Sequence, residues 1–182
     1  MAFDLSPYSE TVRAILSLDG AGERLMPLVA GKCSSAEAAA RIRTLRPADI
    51  FPAARSPEGA LAALWVYFSA FDEGHRVAQD LTTVEGSYWH AILHRQEPDA
   101  WNSGYWFRRV GSHPIFPALN MAAAQFGYRA DDSWDPFAFV EYCDTARLKP
   151  GSEQERIALQ VQRAEWQLLF AWCAQPQRSS TP

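Results

Sequence analysis

Proline and glycine cut this chain into stretches of helical period, and almost nothing in it alternates with the period of a strand. Ser6-Pro7, Ser56-Pro57 and Asp135-Pro136 each place a capping side chain before a proline at the first helical position, where the missing N–H costs nothing. Gly20, Gly31, Gly111 and Gly127 stand where periodic runs stop, and glycine is favoured just past a helix end. Ser34 with Glu37 reads as a capping box, and Ser87 reads as another cap. Helices are expected over 7–18, 21–30, 35–45, 57–80, 88–97, 100–110, 114–126, 136–147 and 153–174. In the long 57–80 segment, Leu61, Leu64, Trp65 and Phe68 form a buried stripe, with Gly74 as a weak point. Ile157, Val161, Leu168 and Trp172 mark one face of the last helix. The expected fold is all-α, a single-domain array of about seven to nine helices over 1–175, with a flexible tail at 176–182.

Length and composition agree with one ordinary globular unit. The chain has 182 residues, 48% of them hydrophobic, enough for a core without staples. Its formal charge of −4 gives no general attraction to nucleic acid or anionic membranes. Cys33, Cys143 and Cys173 are an odd number, widely spaced, which suits reduced thiols better than a disulfide scaffold. The chain opens without a basic segment leading into an apolar run, and its longest apolar stretch, Ala60 to Phe71, is short for a membrane span. A cytoplasmic location is therefore expected.

Chemistry concentrates between residues 75 and 113, where all four histidines fall. His90 and His94 share a helix face at i, i+4, with Cβ atoms about 6 Å apart, and so can converge on one ion. His75 is the preferred third ligand, with Glu97 or His113 next. A zinc, iron or nickel ion on three such ligands keeps an open position, and a metal-bound water ionises near neutral pH. The HExxH pattern of zinc proteases fails, because Ala91 stands where the glutamate belongs. Glu97, on the same face as both histidines, is the candidate fourth ligand or general base. Without a metal, each histidine simply bonds a neighbour or faces water.

Arg95, Arg108 and Arg109 lie close in sequence to Trp89, Tyr105 and Trp106. Guanidinium groups grip carboxylate or phosphate, and aromatic faces stack on sugars or planar rings. Together they suggest a site for a small anionic or sugar-like ligand. The plainer alternative has the aromatics in the core and the arginines reaching solvent. GxSxG, Walker A and GxGxxG motifs are all missing from the sequence.

The block Glu85-Gly-Ser-Tyr-Trp-His-Ala-Ile-Leu-His-Arg-Gln-Glu-Pro-Asp99, then Asn102, Tyr105-Trp-Phe-Arg-Arg-Val-Gly111 and His113-Pro114, resembles one shared by a family of uncharacterised bacterial all-α proteins. The likeness runs from about Leu64 to Trp172, through Trp134-Asp-Pro-Phe137 and Glu165-Trp-Gln-Leu-Leu169. That family implies a helical fold and carries no residue roles. Three functions stay open: a metal-dependent, hydrolase-like enzyme, a metal-free binding module for a small molecule, and a structural domain that forms homo-oligomers.

Overall fold

The centre of the molecule is a pair of helices buried over most of their length. In the computed structural model, which describes residues 2–128 and 132–176, α4 (Pro57–Tyr67) buries every residue from Gly59 to Tyr67 except Leu61. Its Ala60, Ala62 and Ala63 let neighbours approach closely. In α6 (Val84–Gln96) every residue from Gly86 to Gln96 is buried. The expected stripe on one face of 57–80 is therefore corrected: α4 is apolar all round because protein surrounds it.

The remaining helices wrap this pair. They are α1 (Glu10–Leu16), α2 (Ala36–Arg43), α3 (Pro47–Ile50), α5 (Phe71–Asp80), α7 (Ala100–Val110), α8 (Phe116–Gln125), α9 (Pro136–Ala146) and α10 (Glu153–Ala174). The all-α class holds, with ten helices and no strand among the described residues. No helix among them is long and apolar enough to cross a membrane. One apolar cluster joins α1, α2, α4, α6 and the end of α10. A second fills the space between α8, α9 and the first half of α10. The tail expected at 176–182 falls, from residue 177, outside the described residues.

Several boundaries differ from the sequence expectation, each for a local reason. Ser6-Pro7 forms a turn, and Ser9 caps α1 by accepting from the Val12 N–H at 3.4 Å. Ser35, not Ser34, caps α2, and Thr83, not Ser87, caps α6. Ser87 lies inside α6 and donates back to the Thr83 carbonyl. Between 21 and 30 only a 3-10 turn at Gly20–Gly22 forms. The segment after it runs across α10, where Gln162 donates to the Met26 carbonyl at 2.8 Å.

The largest correction is the break in 57–80. Helix α4 ends in a Schellman motif. The Ser69 N–H bonds the Val66 carbonyl and the Ala70 N–H bonds the Trp65 carbonyl, each at 3.0 Å. Ser69 takes the left-handed position (φ +55) that glycine usually fills. Arg24 braces this end, donating to the Tyr67 carbonyl and to Ser69 Oγ. The chain then turns back as α5. Gly74 lies inside α5, which runs on through it to Asp80. It brings α5 so close to its neighbours that a Cβ there would sit 3.4 Å from Trp65 Cβ and 3.5 Å from Leu93 Cδ2.

Candidate metal centre

Two adjacent helices build the site. His75 projects from α5, and His90 and His94 project from consecutive turns of α6. The α5–α6 connection is tight because Gly86 has no side chain. A Cβ there would fall 2.3 Å from Leu81 Cβ and 2.6 Å from the Leu81 carbonyl oxygen, far inside contact distance. Thr83, capping α6 across that turn, sets the helix phase that points both histidines at α5.

One nitrogen from each of His75, His90 and His94 lies within 4.8 Å of the others. The Nε2 atoms of His75 and His90 are 3.0 Å apart. Zinc–nitrogen bonds of about 2.0–2.1 Å place tetrahedral ligands ~3.3 Å from one another. The first pair is thus at ligand spacing, and the third ring needs a small shift.

The surroundings of His90 and His94 favour their neutral form, the form that binds metal. Burial pushes the His90 imidazole down to about 3, and the His75 and His94 rings add to the shift. His94 is also lowered, chiefly by burial, while Glu97 pulls the other way. His90 Nδ1 is buried with no hydrogen-bond partner. Trp106 closes the far side, stacking on His90 at 4.0 Å between ring centroids, and Arg109 lies over the outer face of Trp106.

A cavity of about 300 Å³ opens beside His75, with Asp72, Arg76, Gln79 and Asp80 of α5 along one wall and Glu97 opposite. Glu97 Oε2 stands 3.0 Å from His94 Nδ1, an ion-pair distance that is not aligned as a hydrogen bond. Asp99 lies 3.9 Å from the same atom. Glu97 therefore sits behind the His94 ring, outside the group of converging nitrogens.

The other residues singled out in the sequence are dispersed. His113 is apart from the trio, packed against Tyr88 and Trp172. Arg95 does not reach the cavity. It is 1% exposed and ion-paired to Glu165 at 2.5 Å, against Phe139. Trp89 is fully buried in the core, which removes it as a ligand platform. Tyr105 stacks on Trp101 at the surface. Arg108 lines a different cavity. The ligand-binding set thus splits, and only Trp106 with Arg109 adjoins the histidines. Arg76 and Asp80 went unread in the sequence. Their signal was their α5 phase, at i+1 and i+5 from His75.

Compared with protein-family models, curated proteins and solved structures, the chain matches none.

Proposed function

We propose that this protein holds a divalent transition metal ion on His75, His90 and His94 and uses it in hydrolytic chemistry. The observation that carries the reading is the convergence of three imidazoles within 4.8 Å at the edge of a polar cavity. Three nitrogen donors with an open fourth position suit a catalytic zinc-type site, and zinc, iron and nickel all accept imidazole. Such an ion would supply Lewis-acid chemistry and lower the pKa of a bound water towards neutral, and His75, the one of the three that lines the cavity, would connect it to that space. Glu97 acts as the outer partner of His94: it favours the proton on Nδ1 and leaves Nε2 free to ligate. Arg76, on the cavity wall, is the cation placed to hold an anionic substrate group. The three free cysteines fit a reducing, cytoplasmic setting.

Elemental analysis of protein purified without a histidine tag, with thermal shift on adding zinc, nickel, manganese or iron, tests this. The expected result is near-stoichiometric metal or a rise in Tm, lost in His90→Ala with His94→Ala. No metal and no shift with any of the four ions removes the proposal.

A further inference from the structure

A second and larger cavity, of about 940 Å³, opens between the C-terminal half of α7, the start of α8 and the segment leading into α9. No histidine lines it, so it is separate from the metal centre. Its walls are rings and a thioether: Phe107, Phe116, Met121 and Phe137. Met121 is 66% exposed and Phe137 39%, so apolar surface is left uncovered at the lip. A concave, mostly apolar space of this size with few polar groups is how small-molecule sites are built.

The polar groups decide what it can hold. Arg108 lines the cavity, and none of the ion pairs among the described residues uses it. Its guanidinium lies back over Gly104 beside the Phe137 ring. A Cβ on that glycine would be 3.5 Å from Arg108 Nη1 and 3.7 Å from Phe137 Cδ1. Trp134, 5% exposed, also lines the cavity, and its Nε1 donor has no hydrogen-bond partner. Two aspartates line it too. Asp135 is engaged as the α9 cap, its Oδ1 accepting from the Phe137 N–H at 2.8 Å. Asp132 is exposed, where water screens it. Ser112, Asn120 and Ser133 also line the cavity and can each donate or accept. Among the described lining residues Trp134 Nε1 is the one buried donor without a partner, and beside it the exposed Arg108 is free of ion pairs, so the fitting occupant carries an acceptor.

We propose that this cavity binds a small molecule with an aromatic or aliphatic body and an acidic head, a carboxylate or its equivalent. The head pairs with Arg108 and the body lies along Phe107, Phe116 and Phe137. Nothing in this inference depends on a metal at the histidines.

The probe is 8-anilinonaphthalene-1-sulfonate, two aryl groups with a sulfonate, titrated into the full chain near pH 7 and followed by fluorescence. N-phenyl-1-naphthylamine, the same body without charge, is the comparison. Saturable binding of the anionic probe is expected, weakened about tenfold or more in Arg108→Gln, as loss of a charge-assisted contact requires. Met121→Glu should weaken both probes. Arg108→Gln should leave the neutral probe unchanged, and His75→Ala should leave both unchanged. Both cavity variants alter exposed side chains, and cooperative urea unfolding confirms that they fold. The inference is overturned if the anionic probe does not bind, if Arg108→Gln binds it as tightly as the parent, or if Arg108→Gln weakens both probes equally. Light scattering that shows stable self-association, abolished by Met121→Glu, would equally overturn it and make the cleft an interface between copies.

Discussion

His75 and His90 face each other nitrogen to nitrogen across 3.0 Å, although they belong to different helices. Only one hydrogen fits between them, so one ring donates and the other accepts. An ion entering this gap must displace that hydrogen. A neutral ring can keep that proton by moving it to Nδ1, so zinc titration at about pH 8 in buffers of different ionisation enthalpy should report little net proton release on binding. His75→Ala should weaken zinc by more than the roughly 10–100-fold that loss of an outer partner costs. Retained affinity in His75→Ala would remove this residue from the ligand set.

Glu97 gives a finer test, because it touches His94 and not the converging nitrogens. Glu97→Gln keeps the shape and removes the charge. Zinc affinity by calorimetry should fall by roughly 10–100-fold, with the unfolding midpoint of the metal-free protein nearly unchanged. An unaltered affinity would mean that the carboxylate does not tune its neighbour.

His113 makes stability depend on pH. Burial pushes its imidazole down to about 4, from an ordinary 6.5. The unfolded chain takes up the proton first as pH falls. Its contribution is thus fully present above about 6.5, declines below it, and is exhausted near 4. The contribution at stake is about 3 kcal/mol. Urea unfolding at pH 7.5, 5.5 and 4.5 should show the decline, which His90 and His94 share, and His113→Phe should make it shallower.

Arg95 and Glu165 form a buried ion pair between α6 and α10, with Tyr88 donating to the same carboxylate. Breaking such a pair from one side typically costs about 3–5 kcal/mol, because it strands a buried charge. Glu165→Gln and Arg95→Met should each lower stability by that order. The double variant should recover much of the loss. Additive losses in chemical denaturation would contradict this account.

Gly86 sets the turn between the two site helices. Gly86→Ala forces a methyl group into Leu81, so the turn must open. We expect a loss of about 1–3 kcal/mol together with weaker zinc binding. Normal stability and normal binding would show that the turn can adapt freely.

The helical class was legible because proline and glycine mark helix ends locally, and 100–110 and 153–174 are observed as expected. The break after Tyr67 was hidden because a serine, not a glycine, holds the left-handed position there. The caps slipped by a few residues at Ser9, Ser35 and Thr83, since neighbouring hydroxyls offer the same chemistry at different phase. The spacing of His90 and His94 could be read directly. Arg95, the very next residue to His94, shows the limit: one step along α6 turns a side chain by about 100°, from the cavity side into the core. Its partner Glu165 is 70 positions away, and no local pattern links the two.

The Schellman break at Ser69 ends α4 and starts α5, so three imidazoles that are close in sequence, from His75 to His94, also meet in space. Joining ligands so near in sequence costs little loop entropy. The denatured chain would therefore retain some grip on an ion that the trio took, and such an ion would raise the melting temperature by less than its native affinity alone would dictate.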